Sequence, residues 1–169
     1  MEFEKLIRRA SQLLLASTLL ILPANFYATP LPQSAPNIGV SGSLSAKNVK
    51  RGRAVQGTIT MEIPAGYHVN SNRPLEKFLV ATQLQIEASN SIRVGPVSYP
   101  RAVLRMFKFS KSRVSVYEGR AIMRFSVSVP ANAAIGSVPL KARLRYQSCN
   151  DEVCFPPRTQ EVILSLTIN

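Results

Sequence analysis

From Val55 onward the chain alternates apolar and polar residues, with Val55, Ile59, Met61 and Ile63 on one side and Gln56, Thr58, Thr60 and Glu62 on the other. A period of two is that of a strand with one buried face. Pro64 and Gly66 end it. The same pattern predicts strands over Thr82–Glu87, Ile92–Tyr99, Val114–Tyr117, Ala121–Val129, Leu140–Tyr146 and Val162–Ile168. Met123, Phe125, Val127 and Val129 share one side, as do Leu140, Ala142, Leu144 and Tyr146, with Lys141, Arg143 and Arg145 opposite the latter set. Pro64-Ala65-Gly66, Gly95-Pro96, Glu118-Gly119, Pro130 to Gly136 and Pro156-Pro157 supply the turns, and beyond residue 30 no long stretch has a helical period. About seven short strands separated by turn formers predict an all-β antiparallel sandwich whose inward faces share one core.

The start of the chain has a different pattern. Lys5, Arg8 and Arg9 precede an apolar run from Leu13 to Leu22 that stops at Pro23, the layout of an export signal. Gln12, Pro23 and Asn25 confine the run to roughly half of the ~20 residues that a membrane span requires, so residues 1–28 are expected to be a signal cleaved after Ala28 rather than an anchor. No cysteine lies near that end to carry a lipid. Residues 29–46 hold Pro30, Pro32, Pro36, Gly39 and Gly42 among small polar residues and are expected to be a flexible linker without structure. That leaves residues 47–169 as one domain, exported and without stable membrane insertion once the signal is gone. At 46% hydrophobic and 18% charged residues, the composition is that of a chain that folds.

Charge narrows the partners. A net charge of +12 fits nucleic acid, an anionic membrane surface or an acidic protein, and export removes nucleic acid from that set. Basic residues are densest between Arg101 and Arg124, where Arg101, Arg105, Lys108, Lys111, Arg113, Arg120 and Arg124 face the single acid Glu118. This is either a solvated face or a surface that steers an acidic partner.

Candidate chemistry centres on Cys149 and Cys154, between the Leu140–Tyr146 and Val162–Ile168 strands. In an oxidising compartment two such cysteines usually pair, and a plain structural staple is one reading. So short a loop removes little unfolded-state entropy, roughly 2 kcal/mol against about 3 for a 15-residue loop, so a staple here stabilises poorly. The other reading is an exchanging disulfide, which needs access and a thiolate at working pH. Asp151 and Glu152 oppose the thiolate by like charge, while Arg145 and Arg158 favour it if they reach the site. His68 is the only histidine, too few for a Cys-His hydrolase beside a paired cysteine or for a zinc site completed by Asp151 or Glu152. No phosphate loop or serine nucleophile elbow is present, so neither a cofactor nor a metal is expected.

The segment Tyr146-Gln147-Ser148-Cys149, an acidic spacer, and Cys154-Phe155-Pro156-Pro157 resembles the amino-terminal periplasmic domain of the thiol:disulfide interchange protein DsbD. Gly66-Tyr67-His68-Val69-Asn70 and Val116-Tyr117-Glu118-Gly119 extend the resemblance over roughly residues 45 to 169. It implies an immunoglobulin-like sandwich whose cysteines cycle between dithiol and disulfide without a cofactor, taking electrons from a thioredoxin-like partner and passing them to oxidised periplasmic proteins, with thioredoxin-like periplasmic proteins and a membrane thiol carrier as the partners. Cys154 would form the mixed disulfide and Cys149 would resolve it. Tyr146, His68, Asn70, Asp151 and Glu152 would neighbour the pair. A cap bearing an aromatic residue would shield it, with Phe109 the first choice and Phe107 the second. The four-residue spacer is shorter than in some relatives, and Lys108 and Lys111 stand where some carry acids, which reverses the charge beside the cap. The interchange protein continues into a membrane domain and a thioredoxin-like domain, so the expected donor is a separate polypeptide, thioredoxin-like or a membrane thiol carrier. The competing expectation is a non-catalytic immunoglobulin-like binding module with a structural disulfide and a basic interaction face.

Overall fold

The computed structural model describes residues 34–88 and 92–169. The expected signal segment 1–28 and the linker as far as residue 33 lie outside the described residues. Twelve strands are formed among the described residues: β1 (Gly39–Leu44), β2 (Asn48–Val49), β3 (Ala54–Glu62), β4 (His68–Asn70), β5 (Gln83–Ala88), β6 (Arg93–Val94), β7 (Val103–Arg105), β8 (Val114–Tyr117), β9 (Arg120–Ser128), β10 (Gly136–Tyr146), β11 (Ser148–Cys149) and β12 (Arg158–Ile168). They make an immunoglobulin-like antiparallel sandwich. One sheet runs β1-β3-β9-β6, the facing sheet β2-β12-β10-β5, and a third, smaller sheet β11-β4-β8-β7. Every pairing is antiparallel except β2 with β12, where Asn48 lies beside Thr167.

The alternation read from the sequence is the alternation of burial. Ile59, Met61, Met123 and Val127 from the first sheet and Leu140, Leu144, Tyr146 and Leu166 from the second meet in one apolar cluster. Each is 1% exposed or less, so each contributes on the order of 2 kcal/mol or more of hydrophobic stabilisation. Lys141, Arg143, Glu87 and Glu161 sit on the outer side of β5, β10 and β12 and form exposed ion pairs there.

Two expectations are corrected. Gly39–Leu44, read as linker, is strand β1, paired with β3 from Gly39 opposite Glu62 to Leu44 opposite Gly57. The residues are small because the space is small: a Cβ on Gly42 would lie 2.7 Å from Ile59 Cδ1 and 2.9 Å from Leu164 Cδ2, side chains of opposite sheets. The expected Ile92–Tyr99 strand is broken. β6 ends at Val94, Gly95 donates to the Ser126 carbonyl, and Ser98 rejoins as a bridge to Arg124. Pro96 has no N–H for the ladder, which accounts for the gap.

The third sheet positions the site. β4 follows β3 after one turn, β8 leads into β9 through Glu118-Gly119, and β11 follows β10 across Gln147. Three of its strands, β4, β8 and β11, are thus continuations of the long sandwich strands. One face, carrying Val69 and Tyr117, joins the main core, while Val114 and Val116 point the other way into a separate small cluster.

Gly57 lies opposite Phe125 in the β3–β9 pair, and a Cβ there would come within 2.3 Å of the Phe125 ring. Gly57→Ala should therefore destabilise the protein by about 1–3 kcal/mol through overpacking. A lower urea midpoint with an unchanged denaturant slope is the expected result.

Candidate functional site

Cys149 and Cys154 form a disulfide with their Cα atoms 4.0 Å apart, and the two residues face each other as an antiparallel bridge. The hairpin between them is closed by its own backbone and by Asn150. Asn150 N–H donates to the Val153 carbonyl, Phe155 N–H to the Ser148 carbonyl, and the Asn150 Oδ1 accepts from the N–H groups of Glu152 and Val153. This Asx turn is the local reason why the spacer folds as it does. Cys149 is fully buried, whereas Cys154 is partly exposed.

Register places a row of residues across the third sheet. Cys154 bridges Cys149, Cys149 pairs with His68, and continuing the β4–β8 register brings Glu118 alongside His68. Paired residues present their side chains on the same face, with Cβ atoms about 4.5–5.5 Å apart. Two residues along, Gln147 and Asn70 occupy the same face as Val116.

The segment after β7 covers this face. The Phe107 ring stacks on His68 with centroids 3.8 Å apart, and Phe109 stacks on Phe107 at 5.4 Å. Both phenylalanines and Cys154 pack on Leu79, Val114 and Val116. The segment is a turn, so neither ring belongs to a strand. Lys108 ties it to the hairpin: its N–H donates to the Asp151 carbonyl at 3.1 Å and its ammonium pairs with Glu152 at 3.1 Å. One of the two basic residues that invert the charge of this segment thus meets an acid of the spacer, although so exposed a pair adds at most ~1 kcal/mol.

His68 is 2% exposed. Burial disfavours its charged form and lowers its pKa to about 4, against the opposing pull of Glu118 and Asp151, so the imidazole is neutral at neutral pH. Its Nε2 has no hydrogen-bond partner among the described residues. Asn70 Nδ2 donates to Gln147 Oε1 and to the Val80 carbonyl. Tyr146 lies in the main core rather than on the disulfide face, its hydroxyl 2.6 Å from Gln160 Nε2. Arg145 belongs to the outer side of the β10–β12 pair, Arg158 stands opposite Tyr146 at the start of β12, and both are exposed.

Gln147 is the residue that sequence reasoning passed over. Its Oε1 accepts from Asn70 Nδ2 and from the Val80 N–H, both at 3.0 Å, while its Nε2 donates to the Phe155 carbonyl at 3.2 Å. One amide therefore joins β4, the segment before β5 and the residue after Cys154. The available signal was its place directly after a core tyrosine and two residues before the first cysteine of the hairpin. Among the described residues no cluster of His, Cys, Asp or Glu is arranged to hold a metal.

No curated protein sequence matches this chain. Among solved structures, the reduced DsbD N-terminal domain of Neisseria meningitidis is 22% identical over 76% of this chain and 85% of its own, with a TM-score of 0.46. The N-terminal periplasmic domain of ScsB from Proteus mirabilis is 12% identical over 77% of this chain and 46% of its own, with a TM-score of 0.51, a likeness of fold. A complex between the DsbD N-terminal and PilB N-terminal domains of Neisseria meningitidis matches at 19% identity over 73% of this chain and 80% of that one, with a TM-score of 0.45. Residues 42–166 match the family described as thiol:disulfide interchange protein DsbD, N-terminal, and with a paired Cys149 and Cys154 in the matching hairpin the chain belongs to that family.

Proposed function

We propose that this chain is an exported, periplasmic thiol-disulfide exchange module, passing electrons from a membrane thiol carrier to disulfides of thioredoxin-like proteins through Cys149 and Cys154. The unequal burial of the two cysteines is the observation that carries the reading: Cys154 is partly exposed, whereas Cys149 is fully buried. A thiolate must approach a disulfide in line, so the outer sulfur is the one a partner reaches. In the reducing direction the Cys154 thiolate attacks a partner disulfide, forming a mixed disulfide and releasing one partner thiolate. Cys149 then attacks Cys154, re-forming the internal disulfide and releasing the second partner sulfur. Two electrons leave the domain's dithiol and reduce the partner's disulfide, with no cofactor needed. The Phe107 and Phe109 rings act as a cap that slows, without preventing, the approach of small thiols and disulfides to Cys154. The cations nearby, among them Lys111 and Arg113, are exposed and suit an acidic partner.

Three outcomes follow from this assignment. Cys149→Ala should accumulate a mixed disulfide through Cys154 that persists on a non-reducing gel, and Cys154→Ala should trap far less. Phe107→Ala should speed reduction of the internal disulfide by dithiothreitol by about tenfold, as expected if closing the cap is worth ~1.4 kcal/mol. The reduction potential of the pair should lie above about −300 mV; a lower value marks a resistant structural bridge and favours a binding module instead.

A further inference from the structure

The exchange reading explains Cys149, Cys154 and the cap but leaves His68 without a task. A buried polar nitrogen lacking a partner costs about 1–3 kcal/mol, and a stack on Phe107 needs only an aromatic ring. The imidazole is held in place by that stack, directly opposite Cys149 in the β4–β11 register. With its sulfur in the disulfide, Cys149 has no proton to donate; once reduced, it carries an S–H on the face where Nε2 stands. Cys149 is also fully buried, so solvent has little access to collect that proton.

We propose that His68 is the proton acceptor for Cys149, taking the thiol proton at Nε2 as Cys149 resolves a mixed disulfide, an inference that rests on the exchange function above. In that step the Cys149 S–H bond breaks and its proton passes to Nε2. The Cys149–Cys154 bond forms, the bond from Cys154 to the partner sulfur breaks, and the electron pair leaves with the partner as a thiolate. The proton on His68 then passes to that thiolate or to solvent. Transfer is required only while the new S–S bond forms, when the attacking sulfur is losing its basicity, so a weakly basic imidazole suffices. The charged groups around the ring leave it free for this role. Glu118, in the turn just after β8, is paired with Arg105 of β7. Lys108 of the cap is paired with Glu152 of the hairpin, and Asp151 lies beyond it on the exposed side. The neutral state of His68 at working pH, a consequence of burial, keeps Nε2 able to accept.

The test uses the reduced full chain with oxidised glutathione as the probe. A mixed disulfide on Cys154 is formed in acid, the sample is jumped to a chosen pH, and its decay is followed by acid quench and mass spectrometry. In the native protein the decay should vary by less than about threefold between roughly pH 6 and 8. His68→Phe, which keeps the stack and removes the nitrogen, should be at least tenfold slower near pH 6.5, with a rate that climbs about tenfold per pH unit as only thiolate attacks. His68→Gln, which cannot take up the proton, should behave likewise. Stability supplies a second measurement. The unfolded imidazole binds a proton near pH 6.5 that the folded one refuses until about 4, so native stability falls as pH drops through that window, and His68→Phe should abolish the fall. If both variants acquire glutathione and resolve it with the native rate and pH profile, His68 is a packing residue and this proposal is overturned. If neither the native chain nor the variants acquire glutathione or resolve it, the exchange function fails and the His68 role fails with it.

Discussion

The cysteine hairpin depends on the amide of Gln147. At that residue the chain leaves the long β10 strand, paired on both sides, and enters the short β11, whose one strand partner among the described residues is β4. A two-residue strand supplies too few backbone bonds to fix a reactive pair. The side-chain amide adds bonds to Asn70, Val80 and Phe155, so the hairpin is referenced to three separate segments at once. Because Tyr146 is anchored in the core next door, Gln147 has little freedom, and the positions of both sulfurs inherit the rigidity of the sandwich.

The site is therefore a product of the fold's longest strands being continued past the end of their sheets. β3, β9 and β10 bury one face each in the main core, and the short extensions next to them would have no reason to pair if those strands were not already held together. The outer face of the third sheet is then free to carry groups that a sandwich core would reject: a cysteine, a histidine and an asparagine in adjacent positions. Covering this face with phenylalanines keeps it dry without requiring every polar atom to be satisfied, and the orphaned Nε2 of His68 and Oδ1 of Asn70 record that compromise.

Much of this could be read along the chain because strands with one buried face write their environment as a period of two. β3, β9, β10 and β12 were legible for that reason, as was the cysteine pair, whose flanking Tyr-Gln and Phe-Pro-Pro resemble a known family. What escaped was set by contacts rather than pattern. β1 is short of large side chains because Gly42 lies between Ile59 and Leu164, a crowding that appears only when the sheets are brought together. β4, β7 and β11 are two or three residues long, below the length at which alternation means anything. Phe107 and Phe109 were legible as a pair with Phe109 placed first, whereas the turn that carries them lays Phe107 directly on His68. The pairing of Lys108 with Glu152 was hidden for the same reason: the reversal of charge beside the cap was plain in the sequence, and its complement lay 44 residues away.

Lys108 also has a consequence beyond holding a loop in place. The cap grips the hairpin through its own backbone and through an ammonium group, so the two are not a door and a room but two halves of one equilibrium. Whatever free energy the closed cap gains from the hairpin in its disulfide form, the disulfide gains from the closed cap, by thermodynamic reciprocity. A protein that pries Phe107 away would, by that act alone, make the bond beneath it easier to reduce, and ionic strength, which weakens the Lys108–Glu152 contact, would tune the same balance from outside.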